Sequence, residues 1–149
     1  MDTFETNLNN MLVSTFNYIL RFEEISLKAV SNGAVTVTDA HVLEAIGRKN
    51  GGATISQIAK AMSFSLPSAT VAVKKLQSKG FIIKSSCEQD ARRFIVSLTN
   101  KGKQINRVHN LFHKKMVRNI SKIFSNSEKE ILLSAIDKLN DFFKKKVSA

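Results

Sequence analysis

The stretch Thr54-Ile-Ser-Gln-Ile-Ala-Lys-Ala-Met-Ser-Phe-Ser-Leu-Pro-Ser-Ala-Thr70 decides the fold of this chain. Thr54 with Gln57 three residues later is a capping box, which predicts the start of a short helix. A second helix is predicted to begin after Ser65, because a serine can cap it and Pro67 is tolerated in the first turn. Only a few residues separate the two helices, so the stretch predicts a helix-turn-helix.

The second helix is predicted to end at Gly80 and to have two unlike faces. One face is apolar at spacings of three and four, which predicts contact with the core: Leu66, Ala69, Val73 and Leu76. The other is small and hydroxyl-bearing at first and then cationic: Pro67, Ser68, Val71, Lys74, Lys75 and Ser78. Small residues allow close approach to base edges and lysines suit phosphates, so we expect a DNA-reading face rather than an ordinary solvated one.

After Gly80 the pattern changes to that of a β-hairpin. Phe81–Ser86 and Arg93–Leu98 are rich in β-forming residues, and the charged link Cys87–Arg92 lies between them. We expect Asp90 and Arg92 to pair across the turn, and an arginine on a thin hairpin suits a narrow minor groove. The alternative is a surface salt bridge that contributes little.

Positive charge is concentrated in this same region. The 149 residues carry a formal net charge of +11, yet residues 1–44 hold six acidic and two basic groups, whereas residues 45–87 hold seven basic groups and no acidic one. Such a local field favours a phosphate backbone as partner. A DNA-binding protein without sequence preference, of the chromatin type, would share this charge and is an alternative.

Composition favours one cytoplasmic globular domain. An apolar content of 43% is enough for a core, and no apolar run is long enough to span a bilayer. Asp2 and Glu5 make the N-terminus unlike a signal peptide. The single cysteine, Cys87, excludes a disulfide framework within the chain and fits a reducing compartment.

Long helices are predicted on both sides of the hairpin and the helix-turn-helix. The first is expected from about Phe4 to Ala29 and is apolar around much of its girth, which favours packing against a partner chain. Thr38 is expected to cap a helix from Asp39 to Arg48. Two further helices are expected at about 100–124 and, after a Ser127–Glu130 capping box, up to about residue 146. Apolar helices at both ends indicate a two-fold dimer.

The run Asp90-x-Arg92-x-x-x-Val96-x-Leu98-Thr99, behind a helix-turn-helix and Lys79-Gly80, resembles the wing signature of MarR-type transcriptional regulators at every position. The resemblance implies a mainly α winged helix-turn-helix fold with a small β-hairpin. It implies a single domain over residues 1–149, in which about 35–99 bind DNA and about 1–30 and 100–149 form dimerisation helices. It also implies a homodimeric regulator, more specifically a repressor, on a pseudo-palindromic operator.

Three further segments are similar to the FabT branch of that family. They are Phe22-Glu-Glu-x-x-Leu27, the segment from His41 to Gly47, and His109-Asn-Leu-Phe-His113-Lys-x-Met116. This similarity implies control of fatty-acid synthesis genes with acyl-carrier protein as co-repressor. The acidic carrier would meet a basic patch, for which Arg107, Lys114 and Arg118 are the candidates. Pro67 and Val71 depart from that branch, so the operator sequence is left open.

We therefore expect double-stranded DNA to be bound by the second helix and the hairpin. The candidate DNA-binding residues are Ser65, Pro67, Ser68, Thr70, Val71, Lys74, Lys75, Lys84, Arg92 and Arg93. Lys74, Lys75 and Arg92 are expected to attract the backbone, and replacement of Lys75 by alanine is expected to weaken binding to all duplexes alike. Ser68, Thr70 and Val71 are expected to lie at or beside base edges.

The family resemblance implies an effector pocket between the dimer helices and the winged domain. The candidates are Phe16, Ile19, Leu20, Phe22, His41, Phe112 and Met116. Long apolar side chains would suit an acyl chain, although the same residues would equally make an ordinary core. Other effectors known in the family (phenolic compounds, oxidants and zinc) are alternatives.

No enzyme chemistry or cofactor is predicted. His109 and His113 stand one helical turn apart and could bind a metal, but without a carboxylate or cysteine companion nearby a packing role is favoured, so no metal is expected. Cys87 lies near Lys84 and the arginines of the hairpin, which could lower the pKa of its thiol and make it an oxidant sensor. The alternative, which is favoured for a lone cysteine, is an inert thiol. Glu23 and Glu24 are sequence neighbours and point apart on a helix, so they form no acid/base pair. The chain has no glycine-rich phosphate loop and no nucleophile motif.

Overall fold

The helix-turn-helix forms as its caps predict. The computed structural model describes residues 2–87 and 90–148. Within these ranges, residues 87 and 90–92 are described by their backbone alone. In this description α1 is Thr3–Ser31, α2 is Val37–Gly47, α3 is Ile55–Met62 and α4 is Leu66–Ser78. Strands β1 and β2 are Ile82–Cys87 and Asp90–Leu98, and helices α5 and α6 are Asn100–Ser121 and Asn126–Val147.

Helices α3 and α4 are joined by three residues. The Thr54 hydroxyl accepts from Gln57 N and the Gln57 side chain accepts from Thr54 N, which confirms the predicted capping box. Ser63 adopts the left-handed conformation, with φ of 55°, and closes α3. The Ser65 hydroxyl then accepts from the backbone N–H of Ser68, which begins α4 as predicted.

The core lies under the helix-turn-helix. Ala69, Val73 and Leu76 of α4 are buried as expected, but Leu66 is 55% exposed, so the prediction that it faces the core is wrong. Leu66 is the first residue of α4, where the helix begins at the surface rather than over the core. The other residues of the core cluster are Leu27, Val35, Ala40, Val42, Leu43, Ile46, Ala53, Ile58, Phe81, Ile82, Val96 and Ile105.

The two strands form an antiparallel hairpin. Ile82 pairs with Leu98 and Ser86 with Phe94, and the register shifts between Ser86 and Cys87. Ala53 adds an isolated bridge on the far side of β2, exchanging hydrogen bonds of 2.9 and 2.7 Å with Val96. Gly52 permits this approach, because a Cβ there would lie 2.7 Å from the Val96 carbonyl oxygen.

Helix α5 begins against the end of α4. The Thr99 hydroxyl donates to Gly80 O at 2.7 Å and accepts from Gly102 N at 3.1 Å. Gly102 packs on the carbonyl of Phe81 so closely that a Cβ would overlap that oxygen. The hairpin is therefore held at its base between the two helices.

Two predicted caps are wrong by two residues. Helix α2 is capped by Thr36, whose hydroxyl accepts from Asp39 N at 3.0 Å, and not by Thr38. Helix α6 is capped by Ser125 with Glu128, and not by Ser127 with Glu130. In both places the earlier residue has its own carboxylate partner three positions on, which satisfies two backbone donors.

The chain divides into two compact units, Met1–Phe112 and His113–Ala149. The first contains the winged helix-turn-helix together with α1, α2 and most of α5. The second contains the end of α5 and α6, which has no buried residue of its own in the described part. The prediction of one domain over the whole chain stays a prediction. Of the described helices, none has the length and apolarity to cross a membrane.

Candidate nucleic-acid interface

The surface of α4 carries the face that the sequence pattern predicts. Pro67, Ser68, Val71, Lys74 and Lys75 are all exposed, and Val71 is exposed to 67%. Because Ala69, Val73 and Leu76 are fully buried behind them, the helix is seated on the core and turns its other side outward. A helix seated in this way can enter a major groove without exposing its apolar side.

Two of the hydroxyls predicted for DNA are already used within the protein. The Ser65 hydroxyl accepts from Ser68 N and donates to the Ser68 hydroxyl oxygen at 2.9 Å. The half-buried Thr70 hydroxyl donates to Leu66 O at 2.9 Å. Of the three residues predicted to lie at or beside base edges, Ser68 and Val71 are exposed, whereas Thr70 is half-buried.

The two adjacent lysines of α4 have different surroundings. Lys75 Nζ lies 3.4 Å from Asp39 Oδ1, on α2, whereas no ion pair of Lys74 is found among the described residues. Lys79 Nζ lies 3.8 Å from the other carboxylate oxygen of Asp39 and donates to Ala34 O at 2.7 Å. The predicted role of Lys75 at a phosphate thus competes with an internal partner that the sequence analysis did not find.

The hairpin supplies further cations. Lys84 is half-buried, with Nζ 4.7 Å from the ring centre of Phe94, and Arg93 is exposed. The side chain of Arg92, its expected pairing with Asp90, and the Cys87 thiol lie outside the described residues. Contact of these residues with DNA stays a prediction.

A second polar feature of the fold is the buried carboxylate of Glu23, on α1. Glu23 Oε1 is 2.9 Å from His41 Nε2 and 2.5 Å from His109 Nε2, and both Glu23 and His109 are buried. The expectation that His109 lacks a carboxylate companion is therefore wrong. Donor atoms of these three residues lie within 4.8 Å of one another, and His113 follows His109 by one turn of α5.

Two imidazole nitrogens and a carboxylate oxygen form a donor set that suits zinc or a similar divalent cation. Sequence reasoning found only the histidine pair on one helix. It missed Glu23 and His41 because they are 86 and 68 positions from His109, so no local spacing connects them.

The residues expected to line an effector pocket do not share one environment. Phe16, Ile19 and Phe22 are exposed, and the Phe22 ring meets that of Phe112 edge-on with centres 4.9 Å apart. Leu20 and Met116 are half-buried, while His41 contacts Glu23. An apolar pocket formed by these residues stays a prediction.

Comparison with known proteins gives a consistent set of relatives. A family model described as MarR family matches residues 35–93. The crystal structure of Streptococcus pneumoniae FabT in complex with DNA is 30% identical, with a TM-score of 0.90 over 95% of this chain and 98% of that one. The S. aureus MepR–DNA complex is 21% identical, with a TM-score of 0.70 over 87% and 96%, and shares the fold.

One curated relative comes from Bacillus subtilis (strain 168), an uncharacterized HTH-type transcriptional regulator, YhjH. It is 26% identical over 105 residues, which is 70% of this chain. The match spans 59% of the length of that relative.

Proposed function

The chain belongs to the MarR family, and from this premise we propose that it is a homodimeric, sequence-specific regulator of transcription that binds double-stranded DNA. The observation that carries the proposal is the surface of α4, where Ser68, Val71 and Lys74 project from a helix whose opposite side is fully buried. Small side chains for base edges beside a cation for phosphate are the components of direct readout.

A dimer is proposed because apolar side chains remain exposed on both terminal helices. On α1 they include Phe4, Met11, Phe16, Tyr18 and Phe22, and on α6 Ile131, Leu133, Ile136, Phe142 and Phe143. A protomer that leaves so many large apolar groups in water is expected to cover them with a second copy. Two-fold symmetry would also place two α4 helices for successive half-sites.

The proposal is tested by fluorescence anisotropy with two duplexes: DNA from upstream of the protein's own gene, and a shuffled duplex of the same composition. We expect tighter binding to the former at every salt concentration, and sedimentation of the free protein as a dimer. Equal affinity for both duplexes would favour the non-specific DNA-binding alternative. A monomer at micromolar concentration would contradict the proposed symmetry.

For the effector, the first candidate is acyl-carrier protein acting as co-repressor on fatty-acid synthesis genes. Its support is the resemblance to the FabT branch, together with the exposed cations Arg107, Lys114 and Arg118 on α5, which would attract an acidic partner. We expect long-chain acyl-carrier protein to tighten operator binding. Carrier protein without an acyl chain is the control, because it retains the charge and lacks the chain. Indifference to both would remove this candidate.

A second candidate effector is a divalent cation, and it is favoured by the cluster of Glu23, His41 and His109. Zinc affinity is measured by competition with a chromophoric chelator, for the wild-type protein and for His41→Ala. We expect one tight site per protomer that is weakened at least tenfold in the variant, because a ligand is lost. Glu24→Gln, one residue from Glu23 but exposed, is the control. Zinc binding that ignores His41 would exclude this site.

A further inference from the structure

Asp39 is the buried acid that meets the DNA-reading helix. It is 4% exposed, and its two carboxylate oxygens lie 3.4 Å from Lys75 Nζ and 3.8 Å from Lys79 Nζ. Residues 45–87, which include the whole of α4, contain no acidic side chain. The carboxylate that balances part of the charge of α4 therefore comes from another helix, α2.

The position of this carboxylate is fixed from two sides. Asp39 Oδ2 accepts from Thr36 N at 3.1 Å, and Asp39 N donates to the Thr36 hydroxyl, which together form the cap of α2. Lys79 in addition donates to Ala34 O, just before that cap. The first turn of α2 and the last turn of α4 are thus joined by one buried side chain and its partners.

Helical geometry separates the three lysines into two groups. Lys75 and Lys79 are four residues apart and lie on one side of α4, towards Asp39. Lys74 is three residues from Val71 and shares its exposed side. A lysine whose ammonium is held by a carboxylate brings less free charge to a phosphate than an unpaired one.

We propose that Asp39 is a specificity-determining residue for DNA: it holds Lys75 and Lys79 against α2, so that α4 meets the duplex with Lys74 as its principal free charge. This inference rests on the proposed function. Restraint of the two lysines limits sequence-independent attraction to phosphates, and it fixes the orientation of the helix that carries Ser68 and Val71. Both effects raise the affinity for operator DNA relative to the affinity for non-specific DNA.

The test is Asp39→Asn, in which the amide oxygen can still accept from Thr36 N while the negative charge is lost. Each lysine released to a phosphate steepens the plot of log affinity against log salt by about 0.9 and tightens non-specific binding about fivefold at 0.15 M salt. We therefore expect the shuffled duplex to bind the variant about fivefold more tightly where one of the two lysines reaches a phosphate, and about thirtyfold more tightly where both do. The preference for operator over shuffled duplex is expected to fall by up to the same factor.

The matched control is Glu44→Gln. Glu44 is also an acid of α2, but its partner is Arg48, the residue that caps the end of that helix, at 3.0 Å. The substitution Glu44→Gln changes the net charge of the protein by the same amount as Asp39→Asn and leaves the ion pairs of Lys75 and Lys79 in place. Equal steepening of the salt dependence by both variants would overturn the proposal, because net charge alone would then explain it. If the double variant that combines Asp39→Asn with Lys75→Gln loses the steeper salt dependence of Asp39→Asn, the proposal is supported.

A second comparison does not require Asp39→Asn to fold. In the otherwise unchanged protein, Lys75→Gln is expected to reduce the salt slope by less than half as much as Lys74→Gln. Equal reductions would overturn the proposal. Circular dichroism establishes that each variant is folded. If the wild-type protein does not prefer operator DNA, the proposed function fails; if it does and Asp39→Asn binds like wild type, only this inference fails.

Discussion

Glu23 Oε1 and His109 Nε2 lie 2.5 Å apart although 86 positions separate the two residues in the chain. The same oxygen lies 2.9 Å from His41 Nε2, so one buried carboxylate oxygen joins α1, α2 and α5. A polar junction of this kind stabilises the arrangement of three helices only while each buried member has its partner.

Replacement of Glu23 by glutamine is expected to lower the free energy of unfolding by about 1–3 kcal/mol. The amide keeps the shape but loses the charge-assisted bonds to two imidazoles. Urea unfolding at one fixed protomer concentration measures the change, since the stability of the proposed dimer would depend on concentration. Glu24→Gln, at the exposed neighbouring position, should change the value by less than about 0.5 kcal/mol. Equal losses in both variants would contradict a structural role for the junction.

Gly102→Ala is expected to lower the free energy of unfolding by about 1–3 kcal/mol, because the added methyl would overlap the Phe81 carbonyl oxygen and force α5 away. Thermal unfolding followed by circular dichroism gives the measurement. Alanine at the exposed Gln104, two residues on in the same helix, is the control and should be neutral or slightly stabilising. An equally stable Gly102→Ala protein would mean that the contact is not needed.

Lys74→Gln is expected to weaken binding to operator and shuffled duplexes alike, by about fivefold at 0.15 M salt, and to reduce the salt slope by about 0.9. The reason is the loss of one free charge on the exposed side of α4. Anisotropy titrations at several salt concentrations measure both quantities. Lys138→Gln on α6 removes the same charge and should leave the slope within experimental error. A selective loss for the operator alone would assign Lys74 to a base rather than a phosphate.

Val71→Ala is expected to change which sequence is preferred rather than the overall affinity. A valine that touches a thymine methyl contributes about 1 kcal/mol, and this discrimination should disappear at one base pair of each half-site. Binding to a set of operators with single base changes detects it. Gln77→Ala, on a flank of the same helix, is the control. An unaltered preference in Val71→Ala would show that another side of α4 faces the bases.

The parts of the fold that local chemistry determines could be predicted from the sequence. Thr54 with Gln57, Ser65 with Pro67, and the hairpin after Gly80 each carry their own signal within a few residues. The sequence pattern misplaces the caps of α2 and α6, because two hydroxyl residues stand two positions apart in each segment. Ser125 and Ser127 each have a glutamate three residues later, so the pattern alone does not choose between them.

Partners brought together by tertiary structure could not be predicted in the same way. Asp39 is 36 positions from Lys75, and it appeared in the sequence only as an early residue of a helix. Glu23 is followed directly by Glu24, which is exposed. The local sequence does not distinguish the buried glutamate from the exposed one. The charge pattern indicates the region proposed to bind DNA, while the fold determines which of its lysines have internal partners.

The bridge between Ala53 and Val96 has a mechanical consequence. Ala53 is immediately followed by Thr54, the cap of α3, so the arm formed by β1 and β2 is tied to the start of the helix-turn-helix through two backbone hydrogen bonds. A displacement of β2 would therefore act on the start of α3 and, through the three-residue turn, on α4. The hairpin and the helix-turn-helix are therefore joined directly within each protomer, so the protein itself constrains the distance between them.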